Sequence, residues 1–308
     1  MHVPDSMKAL RTAIPYIRAY KGRVFVVKLS GRLCPPGRLL DNLVDQLTLL
    51  DQLGIKLVVV HGGGDQADEL CRRLGIEPTR VAGRRVTDEP TLHAVKMAFG
   101  TVNTDVVAAF RRAKVSAVGL SGIDGAIITA HRRPVQTLSD PQTGRAHEVD
   151  FGHVGDIADV NVGLLRHLLD GGHVPVVCSL AADEAGNVLN VNADTIAARI
   201  AIEIRAAKYF LVTGVDGVLR DVHNPATLLS YLDLAQMDEL VRGGSISGGM
   251  LPKLAACREA LLGGVPRVHI INGTVPDALL AEVFTNEGCG TLLVEKRSAG
   301  AEPATVTA

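Results

Sequence analysis

The sequence predicts an α/β protein built on a mostly parallel β-sheet. Short runs of β-branched and aliphatic residues alternate with longer segments of helical periodicity, a pattern typical of parallel strands joined by helical crossovers. Several of these apolar runs end in glycine, where a strand would turn into a helix. An apolar content of 47% over 308 residues is consistent with a well-buried globular enzyme of one large domain or two lobes.

Six apolar runs are expected to be core strands. They comprise residues 23–29, 56–60, 115–120, 174–178, 208–213 and 267–271. A helix is expected from about residue 37 to residue 53, where leucine and valine recur on one face. A second helix should follow the glycines at 62–64 and end near Gly75. Thr87-Asp88-Glu89-Pro90 predicts the start of a third, running to about Arg112, because it offers capping oxygens and a proline for the first turn.

The second half of the chain continues the pattern with helices near 193–206, 234–242 and 250–263. Residues 126–155 are expected to form a β-hairpin around a turn at 140–144. The tail 298–308 is rich in alanine, proline and threonine and is expected to be disordered. Residues 7–20 form an amphipathic, basic segment, so the region 1–22 is expected to contain a helix that either caps the core or packs on another subunit.

Charge and cysteine content exclude several classes of function. Thirty-two Lys+Arg residues against 33 Asp+Glu give a net charge of −1, which favours neither nucleic acid nor a membrane surface as a partner. No run of about 18 apolar residues would span a bilayer. The five cysteines and ten histidines show no metal-ligand spacing, so we expect no protein-held metal, reduced thiols and a cytoplasmic location.

The most informative stretch is the strand 56–60 with the residues that follow it, His61-Gly62-Gly63-Gly64, which we call the glycine loop. One interpretation is a tight strand-to-helix turn. The other is an anion site, because glycine brings bare N–H groups close to a ligand at the positive end of a helix. Three consecutive glycines exceed what a turn requires, so the sequence favours the anion site.

Two basic residues stand at other expected strand ends. Lys28 ends the first apolar strand, where it is either a charge at the edge of the sheet or part of a site. Arg85 lies in Gly83-Arg84-Arg85-Val86-Thr87, which is either an exposed basic turn or a second contribution to the site.

Two further segments combine polar residues with a helix start. Asn190, Asn192 and Asp194 would share one side if strand geometry continued through them, with Asp194 heading a helix. Lys253 lies on the first turn after Gly248-Gly249, where a cation opposes the helix dipole and therefore requires an anion nearby. In an open α/β sheet such strand ends converge on one crevice. Because no Ser-His-Asp or Cys-His pattern accompanies them, the sequence predicts a site for anions rather than for nucleophilic hydrolysis.

Taken jointly and in order, these segments resemble the amino acid kinase family over about residues 9–295, and within it the members that phosphorylate N-acetyl-L-glutamate. The matching segments are Val26-Val27-Lys28-Leu29, Val59-Val60-His61-Gly62-Gly63-Gly64, Gly83-Arg84-Arg85-Val86-Thr87-Asp88, Val118-Gly119-Leu120-Ser121-Gly122, Gly152-His153-Val154-Gly155-Asp156, Asn190-Val191-Asn192-Ala193-Asp194 and Gly248-Gly249-Met250-Leu251-Pro252-Lys253. The resemblance implies a three-layer αβα sandwich, with an N-terminal lobe for the acyl amino acid at 23–185 and a C-terminal nucleotide lobe at 186–297.

The resemblance also implies roles for individual residues. The γ-phosphoryl group of MgATP would pass to the side-chain carboxylate of N-acetyl-L-glutamate. The implied catalytic residues are Lys28, Lys253 and Asp194; the implied substrate-binding residues are Gly63, Gly64, Arg85 and Asn190; the implied nucleotide-binding residues are Ser30, Gly31, Thr213, Asp216, Gly248 and Gly249. A carboxylate is already ionised at pH 7, so the transfer requires positioning and charge neutralisation and no general base.

The chain departs from the family pattern at three places. Ser30 replaces the first glycine of the usual Lys-x-Gly-Gly. Gly214 replaces an aspartate in the usual Thr-Asp-Val-x-Gly, a loss for which Asp216 is the available substitute. Ile123 replaces the lysine of Ser-Gly-Lys-Asp-Gly.

The two ends of the chain resemble arginine-inhibited, hexameric members. Ile14-Pro15-Tyr16-Ile17-Arg18 and the stretches 269–273 and 284–291 carry this resemblance, which implies that Tyr16 and Glu287 border an L-arginine pocket and that the chain forms a homo-oligomer, either a dimer or a hexamer. Two other functions stay open. One is a kinase for a carrier-linked aminoadipate or glutamate, and the other is a weakly active arginine-sensing protein.

Overall fold

The structure is a computed structural model, and it describes residues 5–81, 84–139, 146–246, 248–285 and 288–296, with only the backbone for residues 5–10. Four features expected from the sequence lie outside the described residues: Gly83, the turn at 140–144, Glu287 and the tail 298–308.

An eight-stranded sheet forms the centre of the molecule. Its strands are β1 Val24–Leu29, β2 Lys56–His61, β5 Ala117–Ser121, β10 Val174–Cys178, β13 Lys208–Thr213, β14 Tyr231–Asp233, β15 Val268–Asn272 and β16 Thr291–Val294. They lie in the order β14-β16-β15-β13-β1-β2-β10-β5, and the neighbouring strands are parallel except for the β15–β16 pair. All six core strands expected from the sequence are in this sheet, so the mostly parallel α/β fold is confirmed. The short strands β14, at one edge of the sheet, and β16, beside it, were not predicted.

Helices cover both faces of this sheet. They are α1 Asp5–Tyr20, α2 Arg38–Gln52, α3 Gly64–Arg73, α4 Glu89–Arg112, α5 Gly163–Asp170, α6 Ala193–Ile204, α7 Leu234–Arg242, α8 Met250–Leu262 and α9 Ala278–Phe284. Successive side chains of a strand point to opposite faces, and the buried residues divide accordingly. Val26 of β1 packs in one core with α5, α6 and α8, whereas Phe25 and Val27 pack in another with α1, α2, α4 and α9. The molecule is therefore a three-layer αβα sandwich, as the sequence led us to expect.

Helix starts follow their capping residues. Asp88 caps α4, its side chain accepting a hydrogen bond from the Thr91 N–H, with Pro90 in the first turn as predicted. The cap of α6 is Asn192, which accepts from the N–H groups of Asp194 and Thr195. Asp194 lies in the first turn of α6, as expected, but it is not the cap, so its carboxylate is available for another role.

A second, smaller sheet lies beside the central one. It has the order β12-β11-β6-β9, with β6 Ile128–Arg132, β9 Gly155–Val160, β11 Leu180–Ala182 and β12 Val188–Asn190. The strands β7 Gln136–Ser139 and β8 Ala146–Val149 form the expected antiparallel hairpin. Strand β12 ends at Asn190 and the chain then enters α6, so strand geometry does not continue through Asn192 and Asp194, and the condition for these residues to share one side of a strand is not met.

The N-terminal helix belongs to the core of this chain. Tyr16 and Tyr20 are buried in the same cluster as Phe25, which agrees with a helix that caps the core. Among the described segments, none of the helices is long and apolar enough to span a membrane.

Candidate active site

The polar residues identified from the sequence gather at the carboxyl edge of the central sheet. Lys28 lies near the end of β1, flanked by Val60 of β2 and Leu211 of β13. A lysine in the middle of an eight-stranded sheet cannot be an edge charge, so that interpretation is wrong. Lys28 alternates with Val27 and therefore points to the face that α6 and α8 cover.

On that face, Lys28, Asp194 and Lys253 form what we call the lysine–aspartate cluster. The Asp194 Oδ1 lies 2.6 Å from the Lys28 Nζ, and its Oδ2 lies 3.2 Å from the Lys253 Nζ. Lys253 thereby has the nearby anion that the sequence required. Burial alone would raise the pKa of the Asp194 carboxyl, but the charges and hydrogen bonds of Lys28 and Lys253 hold that pKa below its ordinary value. The cluster carries one net positive charge.

The glycine loop packs directly against the loop that follows β1. A Cβ placed on Gly31 would lie 3.0 Å from the Gly63 N and Cα, and a Cβ on Gly63 would lie 2.7 Å from the Phe99 Cδ1. Gly63 has an extended φ of −171°, so close packing rather than backbone torsion requires glycine there. Within the described residues, the N–H groups of Gly31, Gly63 and Gly64 have no hydrogen-bond acceptor.

His61 fixes the direction of the Gly63 N–H group. It is fully buried, its Nδ1 lies 2.9 Å from the Gly62 carbonyl oxygen, and its Nε2 lies 3.0 Å from the Asn103 Nδ2. The Asn103 amide also donates to the Val176 carbonyl, which identifies that atom as nitrogen and places the His61 proton on Nδ1. Burial lowers the pKa of His61 to about 4, so the ring is neutral. In a trans peptide the C=O and the next N–H point in opposite directions, so holding the Gly62 carbonyl inward turns the Gly63 N–H outward.

Arg85 is buried rather than part of an exposed turn, so the alternative interpretation is wrong for this residue. Its Nη2 donates to the Asp68 Oδ1 and to the Gly64 carbonyl, both at 2.5 Å, and its buried Nε has no partner. The neighbouring Arg84 is the exposed residue. Thr87, two residues beyond Arg85, accepts a 3.3 Å hydrogen bond from the Asn190 Nδ2, so Asn190 contacts the segment that carries Arg85.

The residues expected near the nucleotide are more dispersed. The Gly248 and Gly249 backbones are open, with no atom within 4 Å of a Cβ placed on either, and Gly248 has a φ of +57°. The Asp216 carboxylate accepts a 2.7 Å hydrogen bond from the Asn272 amide.

The Thr213 hydroxyl is engaged with the Val215 and Ile271 carbonyls, so only the placement of this residue at the end of β13 agrees with the expected role. The Ser30 hydroxyl makes no hydrogen bond to another described residue.

Three residues of this site were missed in the sequence. Asp68 holds Arg85, the Gln66 Nε2 donates to the Gly31 carbonyl at 2.6 Å, and Asn103 holds His61. Gln66 and Asp68 directly follow the glycine loop on the first turns of α3, which is the one local signal that pointed to them. In the described part of the chain, no group of three His, Cys, Asp or Glu side chains is arranged to hold a metal.

The central sheet brings two lysines, a carboxylate and unpaired glycine N–H groups of the described residues together at one edge. Such a site defines a class of enzyme that binds and transfers anionic groups. Residues 23–272 match the model of the amino acid kinase family. The chain belongs to this family.

Relatives and solved structures agree with this assignment. The chain is 42% identical to an acetylglutamate kinase of Myxococcus xanthus over 296 residues, covering 96% of each chain. It is 40% identical to an acetylglutamate kinase of Methanocaldococcus jannaschii over 290 residues, covering 94% of this chain and 96% of the relative. The structure of N-acetylglutamate synthase from Neisseria gonorrhoeae, complexed with coenzyme A and L-arginine, superposes with a TM-score of 0.80 at 31% identity, covering 94% of this chain and 65% of the length of that synthase. Carbamate kinase from Giardia lamblia bound to AMP-PNP has a TM-score of 0.62 at 16% identity over 89% of this chain and 99% of that one, which shows a shared fold.

Proposed function

We propose that this chain transfers the γ-phosphoryl group of ATP to the side-chain carboxylate of N-acetyl-L-glutamate, giving N-acetyl-L-glutamyl 5-phosphate for arginine biosynthesis. The observation that carries the proposal is the buried lysine–aspartate cluster beside the free N–H groups of the glycine loop. The relatives that match nearly the whole chain at about 40% identity bear the name acetylglutamate kinase.

In this proposal the substrate is held at both ends. The Gly63 and Gly64 N–H groups bind the carboxylate that receives the phosphoryl group, because they are unpaired donors at the positive end of α3. Arg85 and Asn190 bind the α-carboxylate and acetyl ends. Arg85 suits this role because it keeps a buried N–H donor without a partner.

Phosphoryl transfer then depends on position and charge. Lys28 and Lys253 neutralise negative charge on the phosphoryl group in flight, and Asp194 holds both ammonium groups apart at fixed positions. The acceptor carboxylate is ionised at neutral pH, so no side chain has to remove a proton. His61 is neutral and fully engaged, which suits a role in orienting the loop rather than in proton transfer.

ATP is assigned to the C-terminal lobe at 186–297 and the acyl amino acid to the N-terminal lobe at 23–185. The Gly248-Gly249 turn has an open backbone that a phosphate can approach, and in the described part of the chain the Gly31 N–H and the Ser30 hydroxyl have no hydrogen-bond partner. Mg²⁺ usually binds through nucleotide phosphates, water and one or two carboxylates, and a site dominated by lysines and N–H donors fits a metal that arrives with ATP and supplies charge neutralisation.

One assay tests the function. ADP release would be measured with N-acetyl-L-glutamate, with free and carrier-linked aminoadipate or glutamate, and without acceptor. We expect ADP release with N-acetyl-L-glutamate and with none of the other acceptors. Release only with a carrier-linked acceptor would replace the proposed substrate, and no release with any acceptor would favour a sensor without kinase activity.

We further propose that L-arginine binds beneath α1 as an effector. Lys208 is buried, donates at 3.5 Å to the Glu282 carbonyl and lies 4.9 Å from the centre of the Tyr20 ring. Among the described residues it has no carboxylate within ion-pair distance, and the Glu282 carboxylate favours its charged form only from farther away, so this buried amine suits the α-carboxylate of an amino acid. The His269 Nε2 beside it is buried and unpaired. The structure of the gonococcal synthase is a complex with L-arginine, and the resemblance to inhibited members adds Tyr16 to this region.

The region 1–22 is proposed to join subunits into a homo-oligomer, a dimer or a hexamer, and light scattering measures which. The five free thiols fit the proposed cytoplasmic location, where cysteines stay reduced.

A further inference from the structure

We propose that Asp68 is a positioning residue for substrate binding. Its carboxylate fixes the Arg85 guanidinium against the first turn of α3, so that Arg85 and the glycine loop hold the two ends of one substrate at a constant separation. This inference rests on the proposed function, because it concerns the acyl amino acid that Arg85 and Gly64 are proposed to bind.

The geometry joins two parts of the site through one guanidinium. Asp68 lies one helical turn after Gly64, and the i to i+4 spacing puts both on the same face of α3. The Arg85 Nη2 donates to the Asp68 Oδ1 and to the Gly64 carbonyl, both at 2.5 Å. Arg85 is therefore attached to the same turn of helix that presents the Gly64 N–H.

These two bonds also decide which donors of Arg85 are left for a ligand. Nη2 has two N–H groups, and Asp68 and Gly64 engage that atom from two sides. The Nε and Nη1 groups have no acceptor among the described residues, and the Nε is buried. A buried N–H without a partner is unfavourable, so a ligand carboxylate that pairs with it is bound more strongly. Asp68 thus engages one side of the guanidinium and leaves the other side available.

The charge of Asp68 argues that its contribution is geometric. A carboxylate near an anionic substrate repels it, so charge alone would make Asp68 unfavourable for binding. Asp68 also forms a 2.7 Å ion pair with Arg80. Replacing Asp68 with asparagine would make the surroundings more positive. If charge dominated, substrate would bind more tightly, whereas loss of positioning would weaken binding.

The test is the Asp68→Asn variant, assayed for kcat and for the KM of each substrate. We expect the KM for N-acetyl-L-glutamate to rise about tenfold, because a misplaced binding group is costly, while the KM for ATP stays within about twofold. The matched control is Glu69→Gln, which removes a carboxylate from the same helix and breaks an exposed 2.7 Å ion pair with Arg72. It should leave both KM values unchanged.

A second measurement separates positioning from a purely structural role. Adding Asp68→Asn to Arg85→Ala should not raise the KM for N-acetyl-L-glutamate further, because Asp68 acts through Arg85. A thermal melt shows whether each variant is folded, and an unchanged KM for ATP shows that the nucleotide side is intact. An unchanged or lower KM for N-acetyl-L-glutamate in Asp68→Asn would overturn this inference while leaving the proposed function standing. A wild-type protein that neither binds nor phosphorylates N-acetyl-L-glutamate would overturn both.

Discussion

The Lys28 ammonium and the Asp194 carboxylate form an ion pair of 2.6 Å, with 7% and 5% of the two side chains exposed. The pair links the central strand β1 to the first turn of α6, and Lys253 of α8 completes it from the other side. One buried and one partly exposed lysine around one carboxylate leave a positive charge at the edge of the sheet. That surplus charge is what an anion-transferring site needs and what a purely structural ion pair would lack.

Removing one lysine tests the proposed chemistry. We expect Lys28→Ala to lower kcat by about 10²–10³, by analogy with the loss of other preorganised donors. Lys56→Ala is the control, because Lys56 forms a partly exposed ion pair with Asp170 at the opposite end of β2. A loss of less than about tenfold in steady-state ADP release would contradict the role of Lys28.

Removing the carboxylate tests the energetics of the same cluster. Asp194→Asn leaves two lysines facing each other without a counter-ion, and breaking a buried pair costs about 3–5 kcal/mol of the free energy of unfolding. Asp170→Asn breaks the exposed pair with Lys56 and should leave that free energy nearly unchanged. Urea unfolding of both variants gives the comparison, and equal effects would show that the cluster is not a buried pair in solution.

The packing of the glycine loop predicts a steric effect that a second substitution relieves. A methyl group at position 63 would lie 2.7 Å from the Phe99 ring, so Gly63→Ala should reduce kcat/KM for N-acetyl-L-glutamate strongly. Adding Phe99→Leu to this variant should restore part of the lost kcat/KM, because the substitution removes the aromatic ring. Gly100→Ala is the control, because nothing lies within 4 Å of its Cβ position. A double variant no better than Gly63→Ala would argue against a simple clash.

His61 predicts a pH dependence of stability. Burial lowers the pKa of His61 to about 4, against an ordinary value of 6.5. Between these values the unfolded chain binds more protons than the folded one, so the free energy of unfolding should fall as the pH drops from about 6.5 to about 4. His61→Asn should flatten this dependence, as measured by denaturant unfolding over the same pH range. An unchanged slope would show that His61 is protonated in the folded protein.

The proposed effector site predicts proton uptake. Burial lowers the pKa of Lys208 to about 7, so much of it is neutral at pH 8. A bound α-carboxylate would favour the charged form and raise that pKa, so L-arginine binding at pH 8 should take up protons. Calorimetry in buffers of different ionisation enthalpy measures this, and Lys208→Met should abolish both uptake and inhibition while Lys56→Met preserves them. Arginine binding without proton uptake would place the effector elsewhere.

Local sequence patterns account for much of the fold and for the candidates of the site. The six core strands, the long helices and the glycine loop follow from periodicity and from glycine and proline placement, which act within a few residues. Placement at strand ends and helix starts singled out Lys28, Asp194 and Lys253 from among many charged residues, and the family resemblance supplied their roles. The short elements β11, β12, β14, β16, α5 and α9 were missed because three to eight residues carry too little periodicity to stand out.

Contacts between distant parts of the chain settled the remaining questions. The pattern around Arg85 favoured an exposed turn, and the burial of Arg85 depends on Asp68 and on the carbonyl of Gly64. The choice of Asn192 over Asp194 as the cap of α6 left the Asp194 carboxylate available to Lys28 and Lys253. These relationships join separate strands and helices through charge and hydrogen bonds. A linear pattern can name such groups, but their partners exist only once the sheet has brought them together.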